Sequence, residues 1–298
     1  MTFDSPDDFL AHVLKTFRPY LNTFVLVGGF AVRLYELHPR AVPSVARVLR
    51  TFDADLATPI TRIPIAGKSL SELAVAGGFQ PDFRGDDIPP VMKFIPKGAA
   101  VEPVGVDQYT IEFLTPMRGA QVSRSGGSLM TSDIQAGVTA QRLRYLDLLL
   151  EDPWRVSLAG LPGISEEART IDVRLPHPGL FIVQKILISE EANRQDKRPK
   201  DMAYIYQVAS LFRSDLGGLV QDVRTRMGAI PAWRKWLARF KRLSGSLFSN
   251  PAAPGVTEAQ TVLRAEMAGL GLDVPSAQMI HAGVSLFFKH FYTHDRRA

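Results

Sequence analysis

Two aspartates separated by one residue have the spacing of a metal site. Asp53 and Asp55 belong to the segment 51–57, in which polar and apolar residues alternate as they do along a β-strand. Residues i and i+2 of a strand share a face, so the two carboxylates lie close together and their repulsion is relieved by a cation. Mg²⁺ takes oxygen ligands and is commonly held by one or two carboxylates together with substrate phosphates. The pair therefore indicates a site for Mg²⁺, or for Mn²⁺, which accepts the same ligands.

A third acid, Glu112, lies in the middle of the segment 109–114, which also alternates and predicts a second strand. On a strand next to the first, Glu112 completes a two-metal site. Such a site activates an attacking hydroxyl and stabilises a leaving pyrophosphate. We therefore expect Asp53, Asp55 and Glu112 to be both the metal ligands and the catalytic residues.

Two adjacent glycines, Gly28 and Gly29, follow the apolar run 24–27 and precede a segment with helical spacing. This order predicts a strand, a glycine turn and a helix. The N–H groups at a helix N-terminus favour a phosphate, and glycine permits its close approach. We expect both glycines to bind phosphate. Taken singly, a glycine pair is also typical of an ordinary turn, and an Asp-x-Asp segment of a solvated strand face.

The order and spacing of these features resemble the nucleotidyltransferase superfamily that includes DNA polymerase β. The resemblance lies in Val27-Gly28-Gly29-Phe30-Ala31-Val32, in Thr51-Phe52-Asp53-Ala54-Asp55-Leu56 about 25 residues later, and in the strand that carries Glu112. It implies an α/β (α+β) fold, with a nucleotidyltransferase-type mixed sheet flanked by helices and an all-helical C-terminal domain after it. It also implies an NTP substrate.

A second block, at 171–187 and 197–203, looks like the bacterial nucleotidyltransferase-like proteins related to abortive-infection toxins. By this resemblance Lys185 contacts the triphosphate and Asp201 is a further acid beside the site. The residues alone leave another interpretation open, in which Lys185 lies on the solvated face of a helix and Asp201 caps the next helix. The resemblance adds a cognate antitoxin protein as an expected partner.

The chain divides near residue 176, at the break formed by Pro176-His177-Pro178-Gly179. Before this point short strands and helices alternate, with a helix-prone stretch at 140–150. After it nearly every segment has helical spacing, which predicts helices at 180–191, 200–212, 232–243, 257–267 and 276–290. We therefore expect a nucleotidyltransferase catalytic domain at 1–176 and a helical C-terminal domain at 177–298.

Composition excludes several chemistries. The 298 residues contain no cysteine, so disulfides, thiolate metal sites, iron–sulfur clusters and cysteine nucleophiles are ruled out. The first residues are acidic and polar rather than signal-like, and no stretch reaches the roughly 18 apolar residues that span a bilayer. We expect a cytoplasmic protein without membrane contact.

The excess of basic residues, a formal net charge of +5, is concentrated in the C-terminal half. No acid occurs between Asp222 and Glu258, and bases alternate there with aromatic residues. Such a stretch is suited to a phosphate backbone, with aromatics available for stacking. The alternative is an amphipathic helix whose Trp236, Leu237, Phe240 and Leu243 pack inward while its basic residues are solvated.

Together these features predict an Mg²⁺-dependent nucleotidyltransferase. It would transfer a nucleoside monophosphate from an NTP to an acceptor hydroxyl, with RNA such as a tRNA end as the favoured acceptor, and release pyrophosphate. A protein or small-molecule acceptor is a second hypothesis. A catalytically silent nucleotide- or RNA-binding module with the same fold is a third.

Overall fold

The computed structural model describes residues 1–42, 49–59, 62–85, 89–99, 108–119, 130–191, 195–268 and 270–293. The chain forms two compact units. One comprises Met1–Leu37 and Thr51–Pro176, and the other comprises His38–Arg50 and His177–Ala298. The first is a mixed α/β unit and the second is helical, which confirms the predicted fold class. The bounds 1–176 and 177–298 of the two domains stay a prediction.

A mixed sheet forms the centre of the first unit. The strands of this unit are β1 Val25–Val27, β2 Asp53–Ala57, β3 Phe79–Arg84, β4 Val91–Pro96, β5 Thr110–Pro116, β6 Thr131–Gln135, β7 Val138–Leu143, β8 Trp154–Ser157 and β9 Asp172–Leu175. The strands of the sheet follow the order β1-β2-β5-β4-β3, with β7 pairing with both β5 and β6. Strands β8 and β9 form a separate antiparallel pair.

Among the described residues, the same unit contains the helices α1 Pro6–Thr16, α2 Gly28–Leu34, α3 Leu70–Ala76, α4 Asp147–Leu150 and α5 Glu166–Arg169. Helix α1 begins at Ser5, whose hydroxyl accepts the Asp8 N–H at 3.1 Å, and its apolar stripe is buried as predicted. The Arg33 guanidinium donates two hydrogen bonds to the Asp7 carboxylate. This pair fixes α2 against α1, and so fixes the direction of the helix that follows the glycine turn.

The helix predicted at 140–150 is wrong for its first part. Residues 138–143 form strand β7, and only Asp147–Leu150 is helical. β7 pairs with β5 on one side and β6 on the other, so both edges of its backbone are hydrogen-bonded within the sheet. This pairing overrides the local helical preference of the segment.

The helical unit contains α6 Pro178–Ile188, α7 Arg198–Leu211, α8 Leu216–Ala229, α9 Arg234–Leu247, α10 Pro254–Ala268 and α11 Ala277–Thr293. Every residue of α6 is buried, because its apolar side chains surround the whole helix. Helix α8 was not predicted, since Gly217 and Gly218 in its first turn lower the local helix propensity. Within the described ranges no helix has the length and apolar character needed to cross a membrane.

His177 makes the stability of the helical unit depend on pH. Its ring is fully buried, and Nε2 lies 3.3 Å from Asp222 Oδ2. Burial lowers the pKa of His177 to about 4, more than the Asp222 hydrogen bond raises it. Between about pH 4 and the ordinary pKa of about 6.5 the unfolded chain therefore binds more protons, so stability falls as pH falls.

We expect the wild type to lose about 2 kcal/mol more unfolding free energy than His177→Asn between pH 7 and pH 4.5. Urea unfolding at a series of pH values measures this difference. Parallel curves for the two proteins would contradict the assignment to His177.

Candidate active site

The sheet places the three predicted acids side by side. In the parallel pairing of β2 with β5, Asp53 lies opposite Thr110 and Asp55 lies opposite Glu112. In the antiparallel pairing of β4 with β5, Lys93 lies opposite Glu112. Residues in register across neighbouring strands share a face. Asp53, Asp55, Glu112 and Lys93 are therefore one cluster on one face of the sheet.

In the described part of the chain, Lys93 contributes a positive charge to this cluster. Its ammonium forms an ion pair with Glu112 Oε1, and both side chains are largely buried, at 20% and 10% exposed. Burial by itself lowers the pKa of Lys93, but the charges of Glu112, Asp53 and Asp55 outweigh it and raise that pKa above its ordinary value. All three carboxylates thus act on the Lys93 ammonium.

The two aspartates are held by different neighbours. The Thr110 hydroxyl donates to Asp53 Oδ1 at 2.6 Å, which orients that carboxylate from the adjacent strand. Asp55 lies against the glycine turn: a Cβ atom on Gly28 would come within 2.1 Å of Asp55 Oδ2. Gly28 also has φ +68°, a conformation that favours glycine. The missing side chain at Gly28 therefore makes room for the Asp55 carboxylate.

The aspartate pair fits a hard divalent cation. Its donors are carboxylate oxygens on one face, and they belong to a cluster in which three carboxylates face one ammonium. In the part of the chain that the structure describes, no group of three His, Asp or Glu side chains is arranged to hold a metal ion, and the Glu112 carboxylate is engaged by Lys93. Asp53 and Asp55 are thus the residues that would hold the ion, and Glu112 as a third ligand stays a prediction.

The glycine turn brings a helix N-terminus to the same cluster. Helix α2 begins at Gly28, directly after β1, and among the described residues no side chain caps it. Because Gly28 abuts Asp55, a phosphate bound at this turn would lie beside the aspartates. Phosphate binding by Gly28 and Gly29 stays a prediction.

Lys185 and Asp201 lie in the helical unit and form a buried pair. Lys185 Nζ lies 2.5 Å from Asp201 Oδ1, and the ammonium also lies over the rings of Phe181 and Tyr204, at 5.4 and 5.8 Å from their centroids. Only 9% and 5% of the two side chains are exposed. Lys185 is therefore not on a solvated helix face, and Asp201 lies in the first turn of α7 rather than at its cap. Their roles at the NTP stay predictions.

In the basic stretch 223–257 some side chains are buried and others are exposed to solvent. Phe240 and Leu243 are buried, as the amphipathic alternative expects, but Trp236 and Leu237 are only partly buried. Arg239 and Arg242 both pair with Glu190, at 3.1 Å. Arg234 and Lys235 are exposed at the beginning of α9.

Sequence reasoning missed Lys93 as part of the site. Its only sequence signal is a charged residue inside the apolar strand segment Val91-Met92-Lys93-Phe94-Ile95. The register of β4 against β5 is what gives this lysine its partner.

Lys93 and the predicted site residues all lie within a segment that matches a known protein family. A family model described as Nucleotidyltransferase matches residues 10–227, which is more than half of the chain. The match spans the carboxylate cluster, the glycine turn and the buried Lys185–Asp201 pair. No curated protein and no solved structure matches the chain.

Proposed function

The chain belongs to a nucleotidyltransferase family, and from this premise we propose that it transfers a nucleoside monophosphate from an NTP to an acceptor hydroxyl. Membership of the family makes it a transferase that acts on NTPs. The observation that carries the proposal is the cluster of Asp53, Asp55 and Glu112 on neighbouring strands beside the Gly28 turn.

In the proposed reaction the acceptor oxygen forms a bond to the α-phosphorus of the NTP. The bond from that phosphorus to the oxygen bridging to the β-phosphorus breaks, and pyrophosphate leaves with this oxygen. A carboxylate of the cluster takes the hydroxyl proton, and Glu112 is the group we assign to this step. Mg²⁺ or Mn²⁺, when bound, supplies positive charge to the phosphate oxygens.

The remaining residues position the reactants. Thr110 orients Asp53 through its hydrogen bond. The N–H groups of Gly28 and Gly29 are assigned to the phosphates of the NTP, because they begin α2 next to Asp55. Lys185, with Asp201, is assigned to the triphosphate on the strength of the family resemblance alone.

For the acceptor we propose RNA, such as a tRNA end. The support is the acid-free stretch 223–257 in the helical unit, where Arg234 and Lys235 are exposed. A toxin role with a cognate antitoxin protein rests on the resemblance of 171–203 to toxin-type enzymes. A cytoplasmic location belongs to the same proposal.

Incubation with each labelled NTP, Mg²⁺ and total RNA tests the function. We expect wild type to label RNA, and Asp53→Asn with Asp55→Asn to reduce labelling by about 10³-fold, because the ion and its positive charge are lost. Asp133→Asn is the matched control, since Asp133 is an exposed aspartate on β6 of the same sheet. It should label like wild type.

Other outcomes separate the rival hypotheses. No product with RNA, lysate or small alcohols would contradict the transferase assignment. If salt-dependent RNA binding then persisted in the double variant, a catalytically silent RNA-binding module would be favoured. Product with an alcohol or aminoglycoside acceptor alone would favour a small-molecule nucleotidyltransferase.

A further inference from the structure

Lys93 lies beside a cluster of carboxylates, inside a strand segment whose other residues are apolar. It lies within β4, paired in register with Glu112 of β5 on one side and with Asp82 of β3 on the other. Asp82 accepts a hydrogen bond from Arg84 Nε at 2.5 Å. The ammonium of Lys93 bonds to Glu112 instead, so the lysine is directed to the carboxylate cluster.

The carboxylates of this cluster repel one another, and the positive charge of Lys93 reduces that repulsion. Three carboxylates on adjacent strands repel one another, and burial makes this repulsion stronger than it is in water. Glu112 is only 10% exposed, so solvent alone screens its charge poorly. Asp55 is in register with Glu112 and Glu112 is in register with Lys93, so the aspartates of β2 lie on the same face of the sheet as the lysine.

We propose that Lys93 is an internal counter-ion of this site, which holds Glu112 in place without a metal and weakens the binding of divalent cations. The inference rests on the proposed function, because it takes Asp53 and Asp55 to hold such a cation. A bound Mg²⁺ and the Lys93 ammonium then repel each other, and this repulsion lowers the affinity of the site for the metal.

Substitution of Lys93 by methionine, which keeps most of the side-chain length and removes the charge, tests the inference. Mn²⁺ titrations followed by electron paramagnetic resonance measure the affinity without catalysis. We expect Lys93→Met to bind Mn²⁺ about tenfold more tightly than wild type, because a nearby positive charge is gone. In EDTA its melting temperature should fall by about 4 °C or more, since Glu112 loses its partner.

Lys97→Met is the matched control, because Lys97 is an exposed lysine just after β4. It should leave both the Mn²⁺ affinity and the melting temperature at the wild-type values. Equal or weaker Mn²⁺ binding by Lys93→Met would overturn the inference. Absence of Mn²⁺ binding by wild type and by Lys93→Met alike, or binding that survives Asp53→Asn with Asp55→Asn, would overturn the proposed function as well, so the two failures are distinguishable.

A double variant covers the case in which Lys93→Met is too unstable for titration. Lys93→Met with Glu112→Gln removes both charges of the pair and leaves no uncompensated carboxylate at this position. Its melting temperature in EDTA should therefore return to within about 2 °C of wild type. A double variant as unstable as Lys93→Met alone would show that the lysine acts through packing, and would overturn the inference.

Discussion

Replacing Gly28 with alanine is expected to reduce nucleotidyl transfer by at least about a hundredfold. The new Cβ would come within 2.1 Å of Asp55 Oδ2, so the carboxylate must leave its position. Because Asp55 is half of the pair assigned to the metal, its displacement should also weaken Mn²⁺ binding. Steady-state rates at saturating NTP, together with the Mn²⁺ titration, measure both effects.

Backbone strain and displacement of Asp55 are separable with a control. Gly137, in the turn between β6 and β7, has φ +72°, and no atom of the described residues lies within 4 Å of an added Cβ. Gly137→Ala therefore adds a similar strain, about 1–2 kcal/mol of unfolding free energy, without touching a carboxylate. We expect both variants to lose stability and Gly28→Ala alone to lose activity. Equal rates for the two variants would show that Gly28 has no role in positioning Asp55.

The features of the site that lie within one segment, the aspartate pair and the glycine turn, are predictable from the sequence. The alternation around Asp53 and Asp55 fixes which face they share, and the apolar run before Gly28 predicts a strand followed by a turn. These patterns depend on neighbours within a few residues. They identified the aspartate pair and the glycine turn without a structure, although not the contact of Gly28 with Asp55, which joins two elements.

The contacts of the site that depend on how strands pair are not predictable from such patterns. Whether Glu112 lies next to Asp55 depends on β5 pairing with β2 in one register, and a shift by one residue would place Glu112 on the other face. The partner of Lys93 is set by the register of β4 in the same way. The same cause explains the error at 140–150, where pairing with two strands turns a helix-prone segment into β7.

Burial of Lys185 likewise depends on a contact between elements. Helix α6 is apolar on all sides, so a lysine in it has no solvated face, but only the packing of α7 supplies Asp201 as its partner. The spacing of α6 predicted a helix, and it left open whether the lysine was solvated. An ion pair that is this deeply buried has consequences for stability that differ from those of a surface pair.

Lys185→Met is expected to lower the unfolding free energy by about 3–5 kcal/mol, because it leaves the Asp201 carboxylate buried without its ammonium. Urea unfolding followed by circular dichroism measures the loss. Lys235→Met is the control, since Lys235 is exposed on α9, and it should change the free energy by less than about 0.5 kcal/mol. Equal stability of wild type and Lys185→Met would contradict the buried pair.

The variant Lys185→Met with Asp201→Asn decides whether the pair also serves the triphosphate. Removing both charges should recover most of the lost stability, because no ion is left uncompensated. If Lys185 binds the NTP as the family resemblance implies, the recovered protein will still show a KM for NTP raised about tenfold or more, since one charge-assisted hydrogen bond to phosphate is missing. If the stable double variant has the wild-type KM for NTP, then Lys185 does not bind the triphosphate and serves only to hold α6 against α7.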